Sequence, residues 1–415
     1  MRTLEDTSST QVSPRIPALD GVRALAILLV IPHNVDMLKA PFPAFEYPLV
    51  ALMHAGWIGV QLFFVLSGFL ITGNLLDTRN SANYFSAFFG RRVLRIMPLY
   101  FVALGVAFVI APALGTVPQK LHATQSHQIW LWTFLSNWSQ PFGGKVYGFG
   151  HFWSLAVEEQ FYLLWPFVVL RCRPARLLWV CAAAAGVALV VRVLLLVTHA
   201  PHETLYMFTV CRMDALALGA AAAAVIRIPA ALTRLQRTVP RVAAAAGMML
   251  LVTAAGTRGF AMFDISTQTV GYTLLSLTFA LIILLAALPT TGALRATMHI
   301  LEWSPLRLVG RYSYGMYVIH LPLHLFLGAV LLHYFAPHVT PAAALLYAAA
   351  MTVASFVLAA LCYELFESRF LRLKRKLMPT RSGASCAAVL ADLAMPESAD
   401  RPTRLQAGAR QEWRN

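Results

Sequence analysis

The sequence predicts an all-α membrane protein, a polytopic bundle of about ten transmembrane helices, and three observations carry that expectation. Of 415 residues, 59% are hydrophobic and only 12% charged, too few polar groups to clothe a soluble globule, so the chain's main solvent must be lipid. Ten apolar segments are long enough to cross a bilayer: 19–38, 49–76, 93–114, 152–170, 174–198, 205–226, 239–257, 270–289, 306–333 and 341–368. The connecting segments alternate in charge. Lys and Arg number 22 over 1–23, 77–95, 171–176, 227–241, 290–311 and 369–376, against 4 over 39–48, 115–150, 199–204, 258–269 and 334–340. By the positive-inside rule that bias puts both termini on the cytoplasmic side. The net charge of +15 is spread through short loops with no basic, aromatic-studded domain to use it, so no nucleic acid is expected as a partner.

Taken in order, residues 1–18 are polar and lack an apolar core. They read as a cytoplasmic segment without a cleavable signal peptide, leaving the first span to direct insertion. That span, LDGVRALAILLVIPHN, is the one around which the others are arranged. Asp20 is expected to cap it, Arg23 stands one turn in, and an apolar run from Ala24 to Ile31 leads to Pro32 and His33. Helix rise sets Arg23 and His33 about 15 Å apart. An isolated histidine in an apolar run is usually packed and hydrogen-bonded, and a terminal arginine usually snorkels. Ionisable groups deep in a span are costly, however, and persist mainly where they work.

In the second span, Ser67 and Gly68 of GVQLFFVLSGFLI allow another backbone or a ligand to come close. Arg91, Arg92 and Arg95 in GRRVLRIMPLY gather with Arg23 at the inner mouth. Such arginines ordinarily anchor topology, yet four guanidinium forks also suit the phosphates of a charged donor. The loop 115–150 contains QIWLWTFLSNW, too short to cross and rich in tryptophan. It is expected to form an interfacial or re-entrant helix roofing a cavity. Ala-rich runs at 182–188 and 220–224 read as close helix packing. Cys172, Cys181, Cys211, Cys362 and Cys386 show no metal-type spacing, so neither a metal nor a disulfide framework is expected. The tail 377–415 has no sustained period and reads as a disordered cytoplasmic segment, which leaves 19–376 as the membrane domain.

Depth from helix rise groups the polar residues. His33 lies about 21 Å up the first span, His320 about 21 Å up the ninth, and Glu158 about 10 Å down the fourth from outside. Arg212 and Asp214 on the sixth span fall in the same layer of a core about 30 Å thick. Either a reactive site or a salt-bridge network that locks the bundle satisfies this pattern.

These blocks together resemble the acyltransferase-three family of bacterial membrane O-acyltransferases. The resemblance rests on LDGVRALAILLVIPH, GVQLFFVLSGFLI, FFGRRVLRIMPLY, HFWSLAVEEQFYLLWP, CRMDALALG, GRYSYGMYVIHLPL and YELFESRFLRL, and it covers about 19–376. It implies a ten-span fold that moves an acyl group, commonly acetyl, from cytoplasmic acyl-coenzyme A to a hydroxyl of a surface glycan, a lipid-linked sugar or a secondary metabolite. It also matches the family's motif histidine to His33, its motif arginine to Arg23, its basic segment to Arg91, Arg92 and Arg95, and its glutamate to Glu158. The family usually places ten residues between arginine and histidine, and this chain has nine. Ten steps of about 100° leave the two roughly 80° apart around the helix, an offset that Pro32 would relieve by distorting the turn. No second, esterase-like domain is expected after the tenth span.

The transfer needs a base for the acceptor hydroxyl and a donor for charge developing on the thioester carbonyl. His33 is the expected base and Glu158 its supporting carboxylate, with Ser67, Arg212, Asp214 and His320 as substrate or oxyanion candidates; a covalent acyl-histidine route stays open. The expected partners are acyl-coenzyme A, a hydroxyl-bearing carbohydrate, glycolipid or metabolite, and the bilayer, with no permanently bound cofactor. The alternative is a proton-coupled transporter that uses His33, Glu158, Asp214 and His320 as a relay, although no internal repeat of the kind such folds carry is visible.

Overall fold

The computed structural model describes residues 16–38, 48–144, 146–256, 261–288, 292–335 and 340–377. Of the terminal segments expected at 1–18 and 377–415, residues 1–15 and 378–415 lie outside them. Every described element is helical. Ten long helices form the framework: α1 (Ala18–Asn34), α2 (Ile58–Asp77), α3 (Tyr84–Gly105), α4 (Phe152–Arg171), α5 (Pro174–Val197), α6 (Thr209–Val225), α7 (Pro229–Gly256), α8 (Tyr272–Ala287), α9 (Ser304–Phe335) and α10 (Pro341–Cys362).

Six helical stretches among the described residues are long and apolar enough to cross a membrane, at Pro48–Asp77, Tyr84–Ala113, Pro174–Val197, His202–Val225, Thr267–Ala287 and Pro341–Leu373. In the other four expected spans, 19–38, 152–170, 239–257 and 306–333, residues 19–34, 152–170, 239–256 and 306–333 are helical too. Yet α1 has only 17 residues, and Glu158, Glu159 and Gln160 dilute the apolarity of α4. The helices that fall short include the two that carry His33 and Glu158.

Burial sorts the bundle into a centre and a rim. α1 buries Ala24, Ala26, Ile27, Val30 and Ile31, and α2 is buried over most of its length, whereas Trp179 and Val197 of α5 are 79% and 70% exposed. Outward apolar side chains on a rim helix are what lipid contact demands. At the centre, α2 and α6 interlock. A Cβ on Gly68 would collide with the Leu216 carbonyl oxygen, and one on Gly219 with the Val65 carbonyl oxygen, so only glycine lets these backbones meet. The close approach expected at Gly68 is therefore filled by a helix. The Ala-rich stretch of α6 buries Ala220, Ala222, Ala223 and Ala224 in the same way.

Two expectations of local structure are corrected. Asp20 does not cap α1: the helix starts at Ala18 after Pro17, and Asp20 accepts from Arg23 Nη1 at 2.7 Å within the first turn. The α-helix also runs through Pro32 to Asn34, so the ten-step offset between Arg23 and His33 is not relieved.

The loop 115–150 is not one interfacial helix. Short helices at Gln119–Gln125, Ile129–Trp132 and Ser136–Ser139 break it up. The break in QIWLWTFLSNW falls at Phe134, which adopts φ 55°, a left-handed conformation costly for a bulky residue. Its ring stacks on Tyr100 at 4.2 Å, Tyr100 donates to the Leu131 carbonyl at 2.7 Å, and Gln160 donates to the Phe134 carbonyl at 3.0 Å. Tertiary packing against α3 and α4 thus overrides the local helical tendency.

Candidate functional site

A cavity of about 120 Å³ lies between α1, α2, α3, α4 and α9. Its wall on α2 extends from Ile71 back to Val60, about 16 Å by helix rise, so the space is long and narrow. Ser154, Glu158 and Tyr162 come from one face of α4 at i, i+4 and i+8. Opposite them stand Arg23 of α1, Arg92 and Arg95 of α3, and Ser67 of α2. Three guanidiniums against one carboxylate leave the lining cationic, with apolar walls from Phe63, Phe64 and Ile96.

The polar groups are joined. Tyr162 Oη donates to Glu158 Oε2 at 2.7 Å, and the same hydroxyl is hydrogen-bonded to Ser67 Oγ. The Arg92 guanidinium sits 5.5 Å from the Tyr162 ring centre and 5.8 Å from that of Phe88, and its buried Nε has no partner among the described residues. Arg23 is held by Asp20. Tyr314 Oη donates to the Ile96 carbonyl at 2.6 Å. At the far end Ser154 Oγ and Tyr317 Oη are 2.6 Å apart, and Tyr317 donates to the His151 carbonyl at 2.9 Å. A pre-formed slot lined by guanidiniums and hydroxyls is chemically fitted to an elongated anionic ligand.

The acyltransferase-domain family matches residues 16–364, which takes in every helix around this cavity. The chain belongs to the acyltransferase-three family. Among curated relatives it is similar to the peptidoglycan O-acetyltransferase OatA of Listeria monocytogenes, at 30% identity over 331 residues, covering 74% of this chain and 49% of that protein. It is 29% identical over 343 residues to a putative peptidoglycan O-acetyltransferase, YrhL, of Bacillus subtilis, with 76% and 49% covered. It is 26% identical over 339 residues to the O-acetyltransferase OatA of Staphylococcus aureus, with 76% and 52% covered. The chain therefore spans about half the length of these relatives. No solved structure matches it.

Within this acyltransferase domain the remaining candidates separate. Arg91 leaves the cavity wall and donates to Asn74 Oδ1 at 3.1 Å. His33 and Glu158 are not brought together: Glu158 lines the cavity and His33 does not. His33 stands against Gly56, whose added Cβ would lie 2.8 Å from the His33 Cβ, one turn or about 6 Å beyond Val60. Its neighbour Asn34 donates to His320 Nε2 at 2.9 Å, and His320 Nδ1 donates to the Tyr317 carbonyl at 2.7 Å. His33 is thus next in the chain to a neighbour of His320, while Glu158 lies about two turns along α4 from the His151 end, among the arginines.

Arg212 and Asp214 belong to another network. The Arg212 guanidinium is enclosed by the rings of Tyr272 at 4.5 Å, Tyr206 at 5.1 Å, Phe64 at 5.6 Å and Trp153 at 5.9 Å, and it donates to Gln61 Oε1. Asp214 pairs at 2.9 Å with Arg192, a fully buried residue. Thr273 Oγ1 donates to Asp214 at 2.7 Å. Neither residue lines the cavity: Asp214 ties α6 to α5 and α8, and Arg212 ties α6 to α2, α4 and α8.

Ser154, Tyr162, Tyr314, Tyr317 and His151 were not singled out from sequence. The first two carried a readable signal, their i±4 spacing from Glu158. The α9 tyrosines carried none, because aromatic residues in an apolar helix are ordinarily packing.

Proposed function

We propose that this chain is a ten-span membrane O-acyltransferase, most simply an O-acetyltransferase, that uses acyl-coenzyme A as donor and a hydroxyl of a cell-surface carbohydrate as acceptor. The observation that carries this is the cavity itself. It is a slot about 16 Å long by helix rise, with Arg23, Arg92 and Arg95 in its wall and a histidine-bearing layer just past its far end. Arginines at the cytoplasmic mouth hold the donor's phosphates, and the extended pantetheine arm lies along the slot with its thioester toward Ser154 and Tyr317. The nucleotide then never enters the bilayer.

His33 acts as the base on the acceptor hydroxyl. Asp36 pairs with His54 at 2.8 Å in the same neighbourhood, supplying negative charge for the imidazolium that forms. Glu158, tied to Tyr162 and Ser67, balances the guanidiniums and fixes the hydroxyls along the slot. The names of the relatives favour peptidoglycan as the acceptor class, with other surface glycans next. Both termini face the cytoplasm in this arrangement, as the 22 to 4 distribution of Lys and Arg requires. The transporter alternative loses support because Asp214, one member of its relay, is committed to Arg192 away from the cavity.

The test is purified protein in detergent with acetyl-labelled acetyl-coenzyme A and muropeptide or glycan fragments, following label into an alkali-labile ester. Transfer that depends on both substrates supports the reading. No transfer and no donor hydrolysis from folded, donor-saturated protein would remove it.

A further inference from the structure

Three imidazoles stand about one turn beyond the end of the cavity that Val60, Ser154 and Tyr317 line. His33 lies opposite Gly56, four residues before Val60, which is the last lining residue on α2; His151 is three residues before Ser154 on α4; and His320 is three residues after Tyr317 on α9. Their situations differ. His320 has both ring nitrogens committed, Nδ1 to the Tyr317 carbonyl and Nε2 to Asn34, which fixes its tautomer and leaves it no free valence. His151 is 5% exposed, and neither Nδ1 nor Nε2 makes a well-directed hydrogen bond among the described residues, although the Tyr317 and Val318 carbonyls stand beside the ring.

A buried imidazole without a well-directed hydrogen bond can turn its N–H toward a guest at low cost. Its ring is packed by His320 at 4.5 Å, Phe152 at 4.7 Å and Tyr317 at 5.1 Å between ring centres. Its carbonyl meanwhile accepts from Tyr317 and Ser154, two hydroxyl residues of the cavity lining.

We propose that His151 is a catalytic residue, the neutral N–H donor to the oxyanion that develops on the acyl carbonyl during transfer. This rests on the acyl-coenzyme A reading of the cavity and assigns a role within it. Arg212, the cationic candidate from sequence, is shut away by four aromatic rings and Gln61, so the donor must come from another group at the cavity's end. The ring contacts of His151 are His320, Tyr317 and Phe152, none of them a carboxylate that would stabilise an imidazolium. A neutral donor role suits such surroundings better than a base role.

The step balances. The acceptor hydroxyl gives its proton to His33 as its oxygen bonds to the acyl carbon. The carbonyl electron pair moves onto oxygen, where the His151 N–H donates. Its return breaks the carbon–sulfur bond, and the departing coenzyme A thiolate takes the proton back from His33.

The experiment compares His151→Phe, which keeps a ring in the same packing but has no N–H, with His151→Gln, which keeps an N–H donor, in the labelled-transfer assay. Removing one oxyanion donor should lower kcat by about 10² to 10³ in His151→Phe, with the donor KM unchanged. His151→Gln should retain about a tenth or more of wild-type kcat and the wild-type pH profile. Phe at wild-type rate would overturn the proposal, and so would a folded Gln variant as inactive as Phe, which would make His151 a base. If the Phe variant does not fold, the Gln variant decides alone: kcat below a hundredth of wild type, or a lost limb of the pH profile, overturns it. Wild-type protein that transfers no label fails the reading of the cavity and not the role of His151 within it.

Discussion

Glu158 shares a helix face with Ser154 and Tyr162, and this geometry makes its charge testable apart from its shape. Glu158→Gln still accepts the Tyr162 hydroxyl but no longer offsets Arg92 and Arg95; kcat for labelled acetyl transfer is expected to fall about 10²-fold, with the protein folded. Arg92 and Arg95 give a different signature. If they hold donor phosphates, Arg92→Ala or Arg95→Ala should raise the donor KM about tenfold or more and leave the acceptor KM alone, because a charge-assisted hydrogen bond to phosphate is worth about 1.5–3 kcal/mol. Unchanged donor titrations in both variants would remove that assignment. His33→Ala should abolish transfer while the protein stays monodisperse; full activity would return the base role to another group. Arg23, Arg92, Arg95, Ser67 and Glu158 were all legible in the sequence as candidates and all line one cavity. The separation of Glu158 from His33 was not, because rise along separate helices gives depth but neither azimuth nor tilt.

At the level of elements, the α2–α6 contact and the α5–α6–α8 lock set the frame against which the cavity is held. Gly68→Ala drives a methyl group into the Leu216 carbonyl, and a loss of about 1–3 kcal/mol is expected, read as a lowered Tm in detergent. Gly186→Ala on α5, where a Cβ would meet nothing within 4 Å, should leave Tm unchanged or slightly raised. Asp214→Asn strips the counter-charge from fully buried Arg192 and should destabilise by about 3–5 kcal/mol, without a specific change in the KM of whatever protein survives. A selective kinetic defect at normal Tm would instead restore Asp214 to the site. Sequence inspection singled out Arg212 and Asp214 but missed Arg192, whose side chain reads as one more charge in an apolar run until α5 and α6 are docked.

For the molecule as a whole, the orientation comes from charge asymmetry, and reporters placed after Met378 and within 115–150 should report opposite sides of the membrane; the same side from both would break the ten-span partition. The all-helical class, the helix positions and the family were determined by the sequence alone, because apolar length, turn chemistry and short motif blocks are local properties that a linear string records in full. The tertiary structure decided which polar residues share a space. It gathered Arg23, Arg92, Arg95, Glu158 and Ser67 around one cavity, set His33 a turn beyond its end, and sent Arg212 and Asp214 into a separate lock. It also broke QIWLWTFLSNW at Phe134. Each of these outcomes depends on the rotation and crossing of one helix against another, which packing fixes and local periodicity does not encode.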